Sequence, residues 1–277
     1  MDDLSRWLTL TNSAEILFPA TFLVVATWEA FRPARSETAS MSLRWFGNAV
    51  LLGLTWIIAS VLPFMTSFGA ALIASQHGWG LLNAVPMPVA VTIPVSIVLL
   101  DLLGYWEHRL FHAVPFLWRL HALHHSDTDL DVTTTIRHHP LEVLVQLGLD
   151  AAVTIACGFP PLAVALYGTL VGVVQTIHHG NIDFPERLRW MRNLIVTPEL
   201  HRVHHSMAFD ENNANFSNFL SVWDRVFGSL RARPHDSLRL GLPEFAAPGF
   251  QRLDKILATP WLVVPPQILV RPAPNNP

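Results

Sequence analysis

The stretch HRLFHAVPFLWRLHALHHS, residues 108–126, carries the strongest indication of the fold and chemistry of this chain. Its histidines form two groups in which they lie three or four residues apart, and such spacings place side chains on one face of a helix. Twelve of the fourteen histidines of the chain fall between residues 108 and 205; the other sets are His138 and His139, His178 and His179, and His201, His204 and His205. This density of imidazoles is difficult to explain except as a metal site with many histidine ligands.

The composition predicts an integral membrane protein. Of the 277 residues, 51% are hydrophobic and 14% are charged, whereas soluble domains average about 25% charged residues. The net charge of −3 and the scattered basic residues exclude a nucleic-acid partner. The single cysteine, Cys157, excludes a disulfide framework, a cysteine-rich zinc module and an iron–sulfur cluster. The acidic start, MDDLSRW, predicts that there is no cleavable signal peptide.

Apolar runs predict an all-α membrane protein with about four or five membrane helices, because about 20 apolar residues cross the hydrocarbon core of a bilayer. The runs are Ala14 to Phe31, Trp45 to Met65, Met87 to Leu103, and Leu141 to Ile177. Gly158, Phe159, Pro160 and Pro161 interrupt the last run, which is therefore expected to form a helical hairpin that either spans the bilayer or is re-entrant.

Three regions are predicted along the chain. Residues 1–104 are expected to form N-terminal membrane helices. Residues 105–235 form a catalytic region that contains the 141–177 hairpin, and residues 236–277 form a C-terminal tail that packs on the catalytic cap or on the membrane surface. Nothing in the sequence has the two-residue alternation of a sheet.

The loop charges predict an orientation. Arg32, Arg35 and Arg44 lie between the first two apolar runs, whereas the connection from Thr66 to Pro86 contains no lysine or arginine. If the arginine-containing connection is cytoplasmic, all five histidine sets meet at the cytoplasmic face, in a helical cap. The expected location is a bacterial inner membrane, or the endoplasmic reticulum in a eukaryote.

The number of histidines predicts two metal ions in one cavity. A zinc ion takes three or four protein ligands, and ten or so histidines exceed the needs of one ion. Asp127, Asn181 and Asp224 lie near the histidines in sequence and are candidates to hold the second ring nitrogen of a ligand.

All-imidazole ligation beside lipid favours iron that activates O2 for the oxidation of an unactivated C–H bond. Two alternatives stay open on the residues alone. One is a membrane di-zinc hydrolase with the same ligands, and the other is a non-enzymatic protein that binds or transports metal.

The order of the motifs resembles the fatty acid hydroxylase/sterol desaturase superfamily. The matching segments run from about Leu103 to Leu230 and are HRLFH, HALHHS, IRHHPLE, IHHGNIDF, and TPELHRVHHS followed by NFSNFLSVWDRVFGSL. The resemblance implies an integral membrane enzyme with a helical cap over a histidine-ligated di-iron centre. It also implies a lipid or sterol-like substrate, O2 as co-substrate, and electrons from an external redox partner, since the chain has no haem, flavin or nicotinamide motif.

The resemblance also implies ligand roles for nine histidines, which are His108, His112, His121, His124, His125, His179, His201, His204 and His205. A second set could contain ligands or groups that support ligands, namely His139, His178, Asp127, Asn181 and Asp224. His138 is expected to be a neighbour of the metal site, and Trp223, Asp224 and Arg225 are expected to brace the last helix.

We also have expectations for the residues at positions 113, 142 and 150. Ala113 stands where a related, pterin-dependent, alkylglycerol-cleaving branch has a glutamate, which argues against membership of that branch. Asp150 is either functional or bonded to a neighbour such as Tyr167. Glu142 is expected to support a ligand or to cap a helix.

Overall fold

The fold is helical throughout the part of the chain that the computed structural model describes, which is residues 2–36, 40–233 and 238–263, with side chains from residue 16 onward. Within these ranges extended pairing is limited to two isolated bridges. The α-helices in chain order are α1 Asp2–Phe31, α2 Met41–Val61, α3 Ser67–His77, α4 Leu81–Ala84, α5 Val89–Ala113, α6 Pro115–His125, α7 Pro140–Cys157, α8 Pro161–His179, α9 Pro198–His204, α10 Phe209–Asn212, α11 Val222–Val226, α12 Leu253–Leu257 and α13 Thr259–Leu262. Short 3₁₀ segments are Pro63–Met65, Val132–Ile136, Glu186–Asn193, Pro243–Phe245 and Pro248–Gln251.

Four of the described helices, α2, α5, α7 and α8, are long and apolar enough to cross a membrane. The apolar part of α1, Ile16–Phe31, is shorter. Only 17–33% of the residues in the apolar windows of the four helices are buried within the protein, so most of their side chains face outward, as lipid-facing residues do. The all-α fold predicted from the apolar runs is confirmed for the described residues, which include four helices that could cross a membrane.

The predicted hairpin consists of α7 and α8. Helix α7 ends at Cys157 and is capped by Gly158, whose positive φ of 70° favours glycine, and Pro161 begins α8. Gly80 packs against this turn so closely that a Cβ on it would lie 2.2 Å from the backbone nitrogen of Gly158. The connection between the hairpin helices is therefore held by two glycines from distant parts of the chain.

Helix α3 lies in the connection that the sequence analysis treated as a loop. The Thr66 hydroxyl accepts a hydrogen bond from the Gly69 amide at 3.0 Å and caps the helix. Ala71 packs against Phe159 and Val164 at the hairpin turn. At 11 residues α3 is too short to cross a membrane, and it supports the hairpin instead.

Helix α5 determines where the histidines lie. The predicted third span ends at Leu103, but α5 continues without a break to Ala113. The first histidine pair therefore lies on the spanning helix itself, and the predicted region boundary at residue 104 falls inside that helix. Pro115 then begins α6, which packs against α5 and brings residues 121–125 next to the first pair.

A buried network of charges joins α2 to the loop after α6. The Arg44 Nε donates to Asp127 Oδ1 at 2.6 Å, its Nη1 lies 2.9 Å from Asp131 Oδ2, and it also bonds the Asp129 carbonyl. Arg137 donates to the Leu123 carbonyl at 3.0 Å and to Asn48 Oδ1 at 2.9 Å. We call the side chains of Arg44, Arg137, Asp127, Asp131 and Asn48 the arginine network.

The arginine network changes the argument for orientation. Arg44 is completely buried in the first turn of α2, so it is not a free loop charge. The α1–α2 connection does lie at the histidine end of the bundle, since the Ala34 amide bonds the Asn181 carbonyl at 2.9 Å. The assignment of that end to the cytoplasm stays a prediction.

The C-terminal tail, where it is described, packs on the histidine end. Ile256 lies against Leu51 and Leu123, and Val263 and Leu242 pack on Trp118 of α6. These contacts agree with the expected packing on the cap. The part of the predicted tail after Val263 lies outside the described residues.

Candidate metal centre

The nine histidines predicted as ligands come together in two buried groups. In each group one ring nitrogen per residue lies within 4.8 Å of the others. The groups are His108, His112, His121, His125 and His204, and His124, His179, His201 and His205. We call these nine residues the histidine centre; their roles as ligands stay predictions.

Four helices supply the histidine centre. Helix α5 contributes to one group and α8 to the other, but α6 and α9 contribute to both. On α6, His121 and His125 are four residues apart and face the first group, whereas His124 faces the second. On α9 and its C-terminal cap, His204 faces the first group, and His201 and His205 face the second.

Hydrogen bonds at Nδ1 fix several of the rings. Backbone carbonyls bond His108 (Phe216 O, 2.8 Å), His179 (Gln175 O, 2.8 Å) and His204 (Ala214 O, 2.6 Å). A carbonyl only accepts hydrogen bonds, so Nδ1 carries the proton and the neutral ring presents a lone pair at Nε2. This is the tautomer that binds a metal through Nε2.

The distances between Nε2 atoms fit bound metal ions. The pair His108–His204 is 3.0 Å apart, and His179 lies 2.9 Å from His201 and 3.2 Å from His124. In the first pair both Nδ1 atoms are protonated, so two lone pairs face each other without a hydrogen between them. Two ligands at about 2.1 Å from one ion and at a right angle lie about 3.0 Å apart. A cation between these two atoms would remove the repulsion in the first group, and the second group has Nε2 atoms at similar distances.

The electrostatics keep these rings neutral. Burial first, and then neighbouring imidazoles, lower the pKa of His124, His125, His201 and His205 well below the usual value. The same causes bring the pKa of His204 to about 3, although its bond to the Ala214 carbonyl opposes them. Both ring nitrogens of His112 are buried without a hydrogen-bond partner in the described part of the chain. Neutral, unsatisfied imidazoles are prepared ligands, and without a cation they would be costly to bury.

Glu142 connects the histidine centre to α7. Its Oε1 accepts from His121 Nδ1 at 2.7 Å and lies 3.2 Å from His138 Nδ1, and its Oε2 accepts from the His139 amide at 3.3 Å. Glu142 therefore both supports a predicted ligand and caps a helix. His138 stacks on His124 with ring centroids 4.9 Å apart and belongs to neither group, as expected of a neighbour.

His139 and His178 lie outside both groups. His139 caps α7, where its Nδ1 accepts from the Leu141 amide at 3.1 Å and its Nε2 lies 3.2 Å from the Leu257 carbonyl. The ring of His178 stacks on that of His201 at 3.9 Å, and neither of its nitrogens has a hydrogen-bond partner among the described residues.

None of Asp127, Asn181 and Asp224 bonds an imidazole. Asp127 belongs to the arginine network, where burial would raise its pKa but Arg44 and Arg137 outweigh that effect and hold it at about 2. The side chain of Asn181 bonds the backbone of Arg35 instead, at 3.0 and 2.8 Å.

Asp224 acts on the histidine centre through the backbone. It accepts from the amides of Phe216 at 2.8 Å and Ser217 at 3.2 Å, and from Ser229 Oγ at 2.7 Å. The loop that it holds supplies the Ala214 and Phe216 carbonyls that fix two predicted ligands. Asp224 thus braces a loop, where the sequence analysis expected it to brace the last helix.

Apart from Glu142, the groups that fix the rings were missed by the sequence analysis. Most are backbone carbonyls, which every residue has, so no residue type could have indicated them. Asn212 is the exception: its side-chain amide lies 2.9 Å from His125 Nδ1. Its place in an Asn/Asp-rich stretch soon after the last histidines is a signal that could have been used.

A cavity of about 600 Å³ lies beside the histidine centre, between α5, α7 and α8. Leucine and valine are the commonest residues in its walls and include Leu100, Leu103 and Val171. A smaller cavity of about 70 Å³ adjoins it and is lined by histidines of both groups. An apolar chamber between membrane helices thus leads to the predicted ligands.

Asp150 lines the larger cavity and bonds a neighbouring side chain, as one of the two predictions had it, but that neighbour is not Tyr167. Its Oδ2 accepts from Ser67 Oγ at 3.2 Å, whereas the Tyr167 hydroxyl donates to Asp101 at 3.3 Å. Helix α3, which the sequence analysis did not anticipate, supplies the partner.

Comparison of the sequence with known proteins finds a matching family and several relatives. Residues 93–229 match the family model for fatty acid hydroxylase. Ornithine lipid hydroxylase OlsE of Rhizobium tropici is 32% identical over 59% of this chain and 49% of its own length. Alkylglycerol monooxygenase of Homo sapiens is 28% identical over 46% of the chain and 28% of its own length. Cholesterol 25-hydroxylase of Rattus norvegicus is 25% identical over 51% of the chain and 47% of its own length.

The chain spans about half or less of the length of these relatives. No solved structure matches it. The matched segment begins within α5 and ends after α11, and so contains all nine residues of the histidine centre. The resemblance found in the sequence motifs is confirmed: residues 93–229, slightly less than half of the chain, match the fatty acid hydroxylase family.

Proposed function

We propose that this chain is a membrane-bound, non-haem di-iron enzyme that uses O2 to hydroxylate or desaturate a lipid or sterol-like substrate. One observation carries the proposal: two groups of buried, neutral histidines end an apolar chamber that lies between membrane helices. The relatives named hydroxylases and monooxygenases support oxidative chemistry on lipids and sterols.

The nine histidines of the histidine centre would hold two iron ions, one in each group. When bound, iron supplies the activation of O2 that the oxidation of an unactivated C–H bond requires. For hydroxylation, the overall reaction places one oxygen atom in the C–H bond and releases the other as water. Two electrons and two protons complete the balance, and the electrons come from an external redox partner.

The residues of the chain position the substrate and keep water away from the site. The leucine and valine walls of the large cavity receive an apolar chain directly from the bilayer. Carbonyl tethers on His108, His179 and His204 keep the Nε2 atoms in place without metal, so little reorganisation accompanies metal binding. We place the site at the cytoplasmic face, of a bacterial inner membrane or of the endoplasmic reticulum, because the Arg32-containing connection lies at the same end.

Anaerobic purification followed by metal analysis and turnover under ¹⁸O2 tests the proposal. We expect about two iron ions per chain and, for hydroxylation, ¹⁸O in a lipid product. Desaturation would give a lipid lighter by two hydrogens and ¹⁸O in water. Zinc as the only active metal, with turnover in the absence of O2, would show a di-zinc hydrolase. Metal flux without any lipid product would show a transport protein.

A further inference from the structure

A cavity of about 570 Å³ lies between the 3₁₀ segment Glu186–Asn193, α9 and α11. Among the described residues, none that lines it also lines either cavity at the histidine centre. Glu199 is the one acidic residue in its described walls, and four arginines face it. The four are Arg189, Arg192, Arg225 and Arg233. We call this space the basic cavity.

The fold concentrates positive charge at the basic cavity. The chain has a net charge of −3, yet six of its 18 lysine and arginine residues lie in two short segments, 187–192 and 225–233. An antiparallel bridge between Ile195 and Leu220 brings the two segments together, and Ser221 Oγ donates to the Arg192 carbonyl at 2.7 Å. Arginines that are distant in sequence therefore meet at one face of the protein.

Carboxylates match this charge only in part. Arg225 donates to the carbonyls of Arg192 and Ser221 at 2.9 and 3.2 Å, and the Arg192 side chain has no hydrogen-bond or ion-pair partner among the described residues. The exposed Arg189 and Arg233 each lie 2.8 Å from a glutamate oxygen, but such surface pairs contribute little. The basic cavity thus presents guanidinium groups that an anion can bind.

A buried hydroxyl also lacks a partner in the basic cavity. Thr197 is 1% exposed, and its Oγ1 has no hydrogen-bond partner in the described part of the chain, although Thr197 immediately precedes α9. A buried hydroxyl without a partner costs free energy, so a bound acceptor would stabilise this wall. The carbonyl of Thr197 accepts from the His201 amide at 3.1 Å. A ligand here would therefore also hold the first turn of a helix that supplies the histidine centre.

The basic cavity lies beside the helices that can cross a membrane, near their histidine ends. Leu188, in the first of the two arginine-containing segments, lines an apolar groove with Val24 of α1 and Val173 of α8. On α11, at the start of the second segment, Trp223 Nε1 donates to Asp101 of α5 at 2.7 Å. Both segments that carry the arginines are thus fixed to the flanks of membrane helices.

Exposed apolar side chains accompany the arginines along both segments. They include Trp190 and Leu194 on one side, and Val222 and Val226 of α11 on the other. Tryptophan and arginine at the ends of membrane helices are typical of the interface between lipid and water. An acidic soluble protein would match the arginines, but it would not account for the apolar side chains or for the position beside membrane helices.

We propose that the basic cavity binds the phosphate of an anionic phospholipid that is not the substrate. Such a site lies beyond the proposed function and does not depend on it. The arginines and the Thr197 hydroxyl would donate hydrogen bonds to phosphate oxygens. The acyl chains would lie along the exposed aliphatic side chains of α11. Basic pockets between membrane helices are known to bind anionic head groups.

The experiment compares two lipids that differ in the charge of the head group. The delipidated full chain in a neutral detergent is titrated with phosphatidylglycerol, or with phosphatidylcholine that has the same acyl chains, and bound lipid is counted by native mass spectrometry. The ionic strength is about 0.15 M, at which exposed charges more than about 8 Å apart are screened. We expect one phosphatidylglycerol per chain, bound at least about tenfold more tightly than phosphatidylcholine.

Three variants locate the phosphate. Arg192→Gln should lower the affinity for phosphatidylglycerol by about tenfold and leave that for phosphatidylcholine unchanged. Arg187→Gln is the matched control, since Arg187 is exposed in the same segment but does not line the cavity, and we expect a change of less than about twofold. Thr197→Val removes the hydroxyl and keeps the shape, with an expected loss of about fivefold.

Equal affinities for the two lipids, or equal losses in Arg192→Gln and Arg187→Gln, would overturn the inference. Displacement of the lipid by an equal concentration of inorganic phosphate would show a site for free phosphate instead. Tighter binding of polyglutamate than of phosphatidylglycerol would show a docking site for an acidic protein. If Thr197→Val does not fold, the two arginine variants still decide. Because no turnover is measured, none of these results bears on the proposed function.

Discussion

The histidine centre and the arginine network are two buried polar clusters at the same end of one helical bundle, and they differ in how they are satisfied. In the arginine network each carboxylate is met by an arginine, and Arg137 also donates to a carbonyl, an amide oxygen and a hydroxyl. In the histidine centre, the Nε2 lone pairs of His108 and His204 point at one another, and both nitrogens of His112 have no hydrogen-bond partner among the described residues. A buried cluster that completes its own bonds stabilises a fold, whereas one that leaves them open requires a ligand.

The largest effect is expected from breaking the arginine network. Arg44→Met leaves Asp127 and Asp131 buried without their cation, and removal of one partner of such a pair costs about 3–5 kcal/mol. Thermal unfolding of the metal-free protein in detergent measures the change. The exposed Arg32→Met is the matched control and should unfold like the wild type. Equal midpoints for Arg44→Met and the wild type would contradict a structural role for this network.

In the histidine centre we expect a substitution to reduce activity without reducing the stability of the metal-free protein. His204→Ala removes a predicted ligand and should lower the activity by at least about 100-fold, with loss of bound metal. The metal-free variant should unfold at the wild-type temperature or above it, since the substitution removes the lone-pair repulsion with His108. Metal analysis and metal-free melting curves check both halves. Destabilisation of the metal-free variant as severe as that of Arg44→Met would remove the distinction between the two clusters.

A smaller effect, on metal affinity, is expected at Glu142, whose negative charge supports the histidine centre. Glu142→Gln keeps an oxygen acceptor for His121 and for the cap of α7 but removes the negative charge. We expect metal affinity to fall by about 10- to 100-fold while the metal-free unfolding temperature changes little. Competition with a chelator measures the affinity, and the exposed Glu244→Gln serves as control. If the two variants lose metal at the same chelator concentration, the charge of Glu142 is unimportant.

The smallest effect, on activity, is expected at Asp224, which supports the histidine centre only through the backbone of a loop. Asp224→Asn weakens the hold on the loop that tethers His108 and His204, and we expect activity to fall by about tenfold. The readout that separates positioning from folding is the iron spectrum, which should broaden as the ligands become less ordered. Asp254→Asn is the control, because Asp254 lies at the exposed surface beside Arg252. A wild-type spectrum with reduced activity would contradict the positioning role.

The sequence predicted the features of this molecule that follow from residue type and from the spacing of residues along the chain. The hairpin was predicted because Gly158 and Pro161 interrupt an apolar run. Three- and four-residue steps indicated eight of the nine histidines, and the family resemblance implied the ninth, His179. Helix α3 was missed because it is short. The role of its alanines depends on packing against Phe159, which is distant in sequence. The continuation of α5 past Leu103 was missed because the predicted span was ended at the last residue of the apolar run, whereas the helix continues into the polar residues that follow.

The division of α6 and α9 between the two histidine groups has a consequence for assembly of the centre. His201 and His205 face one group and His204 faces the other, although all three lie at the end of one helix of seven residues. Any movement that shapes one group for its ion also moves a ligand of the other. Loading is therefore expected to be cooperative, with chains that carry two ions in equilibrium with chains that carry none.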